Sequence, residues 1–143
     1  MRVDVLNGVN LDMLGKRDPA LYGTGTLDEL ETQIYGWARE IGLQVRCRQT
    51  NHEGEFVEFC HAAIGNADGV IVNPGSWTHY SWAIRDALEP FEVPFVEVHL
   101  SNVDEREEWR RHSVLTGLGG LRIVGKGFEG YREALDLLNE RRP

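Results

Sequence analysis

Cysteine is scarce: Cys47 and Cys60 are the only two in 143 residues, and they form neither a C-x-x-C pair nor a disulfide framework. A reducing cytoplasm fits that usage best. No apolar run approaches the length of a membrane span, and no apolar signal region precedes the first strand. Clustered positive charge is missing too. The formal net charge is −8 and the short Arg110-Arg111-His112 stretch sits among acids, which argues against a nucleic-acid partner. His79 and His99 lack an H-x-x-x-H spacing and a cysteine partner, so a metal site is set aside. There is no internal repeat and no low-complexity tract. What remains, 41% hydrophobic and 27% charged, is the composition of a soluble globular chain, and its length predicts a single domain over residues 1–143.

The apolar pattern alternates between short runs and helical spacing. Val3, Val5 and Leu6 predict a first strand. Leu27, Leu30, Ile34, Ala38 and Ile41 then recur at helical intervals, with Thr26 and Glu29 as a capping box and Gly42 placed to end the helix. Strands are predicted over 43–48, 70–72, 95–98 and 121–124. Helices are predicted around Phe56–Ile64, Tyr80–Leu88, Glu105–His112 and Tyr131–Leu138. Five strands alternating with helices imply an α/β fold: a doubly wound, five-stranded parallel sheet of flavodoxin-like order 2-1-3-4-5, with helices on both faces.

In that order the first, third and fourth strands are neighbours. Each exits into a polar cluster: Asn7-Gly8-Val9-Asn10, then Asn73-Pro74-Gly75-Ser76-Trp77-Thr78-His79, then Glu97-Val98-His99-Leu100-Ser101-Asn102. Ligands of such sheets bind outside the carboxyl ends of the strands, so the three clusters predict one crevice. The connection at about 14–25 is long, has glycines near both ends and Pro19 inside, and carries Arg17 and Tyr22. It reads as a mobile lid.

Taken singly, these residues have plainer readings. Tyr22 fits a surface aromatic or a base, and His99 a hydrogen-bonded structural histidine or an acid. Asn7 reads as a turn former, and Asn73 permits the same reading. Arg85-Asp86 reads as a solvated pair, and Trp37 and Trp109 as helix-face packing. His52, His61 and His112 read as surface or packing residues.

Order and spacing narrow these choices. Asn7-Gly8-x-Asn10-Leu11, Leu14-Gly15-x-Arg17-x-Pro19-x-x-Tyr22-Gly23, Asn73-Pro74-Gly75-x-x-Thr78-His79, Ile84-Arg85-Asp86-Ala87, Glu97-Val98-His99-Leu100-Ser101-Asn102 and Arg106-Glu107-Glu108-x-Arg110 closely resemble the type II 3-dehydroquinate dehydratases over nearly the whole chain. The resemblance implies a cofactor-free and metal-free hydro-lyase of the shikimate pathway or quinate catabolism, converting 3-dehydroquinate to 3-dehydroshikimate by anti elimination through an enolate. It implies Tyr22 as base beside Arg17, Asn10 holding a water at the enolate oxygen, and His99 as acid oriented by Glu97. Asn73, His79 and Arg110 would hold substrate hydroxyls, and the backbone of Leu100 and Ser101 the carboxylate. Asp86 would reach a neighbouring subunit's site in a trimer, four of which commonly make a dodecamer. The alternative is a retargeted or non-catalytic relative that binds a similar cyclic hydroxy acid.

The chemistry suits those roles. A free tyrosine ionises near pH 10, so a phenolate at pH 7 costs roughly 4 kcal/mol, and a guanidinium nearby offsets part of that cost. A carboxylate-held imidazole is a good proton donor to a poor leaving group. Val9, where the family usually has proline, loosens the turn presenting Asn10. Ser76, Trp77 and Trp82 are further departures from the family pattern, and Asp104 and Glu105 add negative charge near a site meant for an anion. A flavin carrier would need a hydroxyl- and glycine-rich phosphate loop after the first strand. A phospho-receiver would need an acidic pair there. Neither is present.

Overall fold

The computed structural model describes residues 1–142. Five parallel strands, β1 (Arg2–Asn7), β2 (Gln44–Gln49), β3 (Gly69–Asn73), β4 (Phe95–His99) and β5 (Leu121–Val124), form one sheet in the order β2-β1-β3-β4-β5. The helices are α1 (Pro19–Tyr22), α2 (Leu27–Glu40), α3 (Glu53–Ala63), α4 (Trp82–Leu88) and α5 (Glu129–Glu140). The strand order and alternation are those predicted. None of these helices is long and apolar enough to cross a membrane.

Because successive strand residues point to opposite faces, the sheet splits its apolar content between two cores. Val3, Val5, Ile71, Val96 and Val98 pack with Leu30, Ile34, Leu135 and Leu138 of α2 and α5. Leu6, Val70, Val72 and Phe95 pack with Phe56, Cys60, Ile84 and Leu88 of α3 and α4. Each side chain fully buried in this way contributes roughly 1.5–3 kcal/mol. The same alternation sorts the polar strand ends. Asn7 and Asn73, paired in register, continue the face of Val5 and Ile71, whereas Glu97 and His99 continue the face of Phe95.

Local signals set the element ends. The Thr26 hydroxyl accepts from the Glu29 amide at 3.2 Å and the Glu29 carboxylate accepts from the Thr26 amide at 3.3 Å, completing the predicted box. Gly42 takes the left-handed conformation (φ 73°) just after the helix. Three expectations change. The 14–25 segment, expected as a lid, contains a one-turn helix, α1, whose Asp18 side chain accepts from the Ala20 amide; four residues are too few to show a period. The helix expected from Tyr80 starts at Trp82, where Ser81 caps it, and Gly75–His79 form a 3-10 turn instead. The helix expected over 105–112 is two 3-10 turns, Val103–Glu105 and Glu108–Arg110, because the backbone is extended at Arg106 (φ −101°, ψ −162°).

Candidate active site

A cavity of about 200 Å³ opens at the carboxyl ends of β1, β3 and β4, lined by residues of all three strand exits, the lid and the 103–110 turns. The first two exits touch backbone to backbone. The Gly8 amide donates to the Asn73 carbonyl at 2.7 Å. A methyl on Gly8 would overlap the Pro74 carbonyl, and one on Gly75 would lie 2.5 Å from the Val9 carbonyl oxygen. Between them Asn10 sits in the left-handed region at φ 69°, a conformation asparagine tolerates better than most residues, and its amide donates to Asn51 Oδ1 at 2.9 Å. Val9 itself lines the cavity wall.

The 14–25 segment supplies the second wall. Asp18 and Pro19 start α1, which ends on Tyr22 before Gly23 (φ 75°). The Tyr22 hydroxyl oxygen accepts from Arg17 Nη2 at 2.8 Å and from Arg106 Nη1 at 2.6 Å, so guanidinium groups occupy both of its lone pairs. The Arg17 guanidinium also lies over the Tyr22 ring, 3.9 Å from its centre. Arg106 donates further to Ser101 Oγ at 3.4 Å. Arg106 is a cavity residue that sequence reasoning left without a role. It is 84 positions from Tyr22, and only its place in the Arg106-Glu107-Glu108-x-Arg110 motif marked it.

The third wall is buried. Glu97 Oε2 accepts from His99 Nε2 and from Thr78 Oγ1, both at 2.6 Å, and Ser113 Oγ donates to Oε1 at 2.9 Å. Burial pushes the Glu97 pKa up. The hydrogen bonds from His99, Thr78 and Ser113 and the attraction of His99 outweigh it, and the carboxyl ends below its ordinary value. A carboxylate only accepts, so His99 carries its proton on Nε2 and leaves Nδ1 free to exchange one. Thr78 and Ser113 were missed as partners of Glu97; a hydroxyl amid polar residues gives no signal of what it will hold.

His79 stacks on His99 with ring centres 6.4 Å apart and 18° between planes, and its Nδ1 donates to the His112 carbonyl at 2.7 Å. Burial lowers the His79 pKa against the pull of that carbonyl, and His99 and Arg110 lower it further. The imidazole is thus favoured as a neutral ring with Nε2 as acceptor. Trp109, expected as helix-face packing, is 52% exposed instead and stands edge-on to His79 at the cavity rim, with the Arg110 guanidinium 4.1 Å from its ring centre. Trp37 does pack against the core.

Asn7 is no turn former. Fully buried on β1, it accepts through Oδ1 from the Tyr131 hydroxyl at 2.6 Å, and Tyr131 accepts from Asn73 Nδ2 at 3.0 Å. Arg85 does not pair with Asp86: it donates to the carbonyls of Val114 and Thr116, and Asp86 is exposed on α4, away from this cavity. Asp104 and Glu105 do not line the cavity either, and Arg122 meets the Asp104 charge at 3.3 Å. Trp77 is buried edge-on to Phe56 in the core, and Trp82 is exposed. Asn10, Arg17, Tyr22, Asn73, His79, His99, Leu100, Ser101 and Arg110 all line the one cavity, and Glu97 stands behind His99. Three guanidinium groups, from Arg17, Arg106 and Arg110, face it and among the described residues no carboxylate does, so a chain of net charge −8 presents a locally cationic pocket suited to an anion. Among the described residues no three His, Cys, Asp or Glu side chains cluster as metal ligands.

The family model described as dehydroquinase class II matches residues 1–139. The chain belongs to that family. It is 50% identical over 143 residues to the 3-dehydroquinate dehydratase of Pelobacter propionicus, covering 96% of each chain. To that of Syntrophotalea carbinolica it is 53% identical over 135 residues, 94% of this chain and 91% of the relative. Among solved structures, the type II dehydroquinase of Butyrivibrio crossotus superposes with a TM-score of 0.94 at 42% identity, 97% of each chain being covered. A 3-dehydroquinate dehydratase-like protein from Bifidobacterium longum gives 0.71 at 31%, covering 98% of this chain and 96% of that one. Class II dehydroquinases thus share the sheet order and helix placement seen here, and nothing in the comparisons favours a retargeted binding protein.

Proposed function

We propose that the chain is a hydro-lyase that converts 3-dehydroquinate to 3-dehydroshikimate, a step of the shikimate pathway. The observation that carries the reading is a tyrosine oxygen gripped by two guanidinium groups in the same cavity as a carboxylate-held imidazole. The first pair suits removal of a proton beside a ketone: Arg17 and Arg106 stabilise the negative charge that the Tyr22 oxygen carries as a base, and that charge passes to the enolate as the oxygen takes the proton. The second suits delivery of a proton to a departing hydroxyl, from His99 with Glu97 holding the opposite nitrogen. Between these steps the charge rests on an enolate oxygen, and a water held by Asn10 supplies a donor there without adding full positive charge.

The remaining assignments are those the family resemblance implies, and residues of suitable donor and acceptor character line the cavity wall. The neutral Nε2 of His79, the Asn73 amide and the Arg110 guanidinium bind ring hydroxyls, and the backbone N–H groups of Leu100 and Ser101 bind the substrate carboxylate. The lid closes over the bound ring and keeps bulk water from the enolate. Asp86, exposed on α4, acts across a subunit boundary in a cytoplasmic homo-oligomer built of trimers and completed as a dodecamer. No cofactor or metal enters these steps.

The test is the rise in enone absorbance when 3-dehydroquinate is added to the purified chain. A rise that scales with enzyme concentration is expected, and a flat trace at high enzyme concentration overturns the reading. Sizing the active species checks the subunit claim: full activity in a stable monomer overturns it.

A further inference from the structure

The side of the sheet opposite Glu97 holds a polar group that the proposed steps do not use. Tyr131, on α5, is fully buried among Val5, Ile71 and Leu135, with its hydroxyl at the ends of β1 and β3. That hydroxyl has one proton, and the proton goes to Asn7 Oδ1 at 2.6 Å. The oxygen can then only accept from its other neighbour, and Asn73 Nδ2 donates to it at 3.0 Å. On the far side of the same amide, Asn73 Oδ1 accepts from the Gly75 amide at 3.2 Å. The Asn73 amide is thus fixed at both ends, nitrogen toward Tyr131 and oxygen toward Gly75. Reversing it would set N–H against N–H and oxygen against oxygen. Reversing Asn7 instead would strand the Tyr131 proton and the Asn7 carbonyl together, whereas the observed arrangement leaves only Asn7 Nδ2 without a partner.

We propose that Tyr131 is a positioning residue for substrate binding: its hydroxyl, directed by Asn7, fixes which hydrogen-bonding face Asn73 presents to the cavity. Asn73 keeps one N–H and one carbonyl lone pair beyond these bonds, and it is 4% exposed on the cavity wall. Which of the two meets a ligand hydroxyl is decided from the interior, by a residue that never touches the ligand. A buried polar triad of this kind costs desolvation that an apolar trio would not, and what it supplies in return is direction.

The inference rests on the dehydratase reading, in which Asn73 binds a ring hydroxyl. Its test compares the wild type with Tyr131→Phe, Asn73→Ala and the double variant, measuring KM and kcat on 3-dehydroquinate together with thermal melting. Tyr131→Phe removes one oxygen and keeps the ring. It is expected to lower kcat/KM about tenfold, mostly through KM, the worth of one well-placed hydrogen bond. Asn73→Ala gives a comparable loss, and the double variant loses no more than Asn73→Ala alone. Leu135→Val, a change of similar cost in the same core, is expected to lower the melting temperature and leave KM alone. Should Tyr131→Phe not fold, Asn7→Ala removes the acceptor that directs the hydroxyl and is expected to raise KM severalfold. A Tyr131→Phe variant that melts lower with unchanged KM, or losses that multiply in the double variant, overturns the inference. If the wild type turns over, such a result overturns this inference alone; a wild type silent on 3-dehydroquinate overturns the reading beneath it as well.

Discussion

The lid wall of the cavity and its sheet wall meet the same ligand space but are built on opposite terms. On the lid wall, Arg17, Tyr22 and Arg106 come from loops and a single helical turn, are partly exposed, and hold one another through two hydrogen bonds at one oxygen. On the sheet wall, Glu97 and His99 end a central strand at 3% and 5% exposure, and Thr78 and Ser113 brace the carboxylate. Chemistry on the first wall can be removed without touching the core. On the second, chemistry and stability share atoms, because a buried carboxylate demands donors whether or not a substrate is present.

The sharpest way to break this contrast is Tyr22→Phe. It should lower kcat by roughly 10²- to 10⁴-fold, the usual worth of a positioned base, with the melting temperature unchanged in calorimetry. A large drop in melting temperature would place Tyr22 in the structural class and collapse the distinction. Thr78→Val is the matching change on the sheet wall: nearly the same shape, one donor fewer on Glu97. It should cost about 1–3 kcal/mol, read as a drop of roughly 2–4 °C in melting temperature for each kcal/mol, and lower turnover as well. Turnover lost with full stability would make the two walls alike.

Acid should act on the sheet wall through Glu97. The folded Glu97 carboxyl lies below its ordinary value of 4.5, so its contribution is fully present above that value and is lost as pH falls through the lower folded one. Denaturant titrations should therefore show Glu97→Gln less stable than wild type above pH 4.5, with the gap closing below it. A gap that stays constant with pH would mean the charge on Glu97 is not what the hydroxyls hold. The smallest effect belongs to Thr26→Ala, which removes the α2 cap just beyond the lid. It should cost about 1 kcal/mol in a denaturant melt and leave kcat unchanged.

Much of the fold was legible because period is a local property. Val3 and Val5, Leu30 and Ile34, and Val70 to Val72 each declare their spacing within a few residues, and Thr26 with Glu29 declares a helix start. The strand exits likewise marked where a crevice would lie. Contacts that join distant segments were not legible. Nothing near Arg106 says that it will reach Tyr22, and nothing near Ser113 points to Glu97. Tyr131 has the spacing of any core aromatic, and its hydroxyl acquires a use only when β1 and β3 lie side by side. Asn7 read as a turn residue for the same reason: its partner is 124 positions away.

The seam between the first two strand exits puts a mechanical limit on the crevice. Gly8 presses on Pro74 and Gly75 on Val9, each contact closing the gap the other would leave open. The spacing between Asn10 and Asn73 is therefore gauged by two methyl groups that are not there. An alanine at either glycine would act as a wedge, prising the two asparagines apart while every named side chain of the site stayed in the protein.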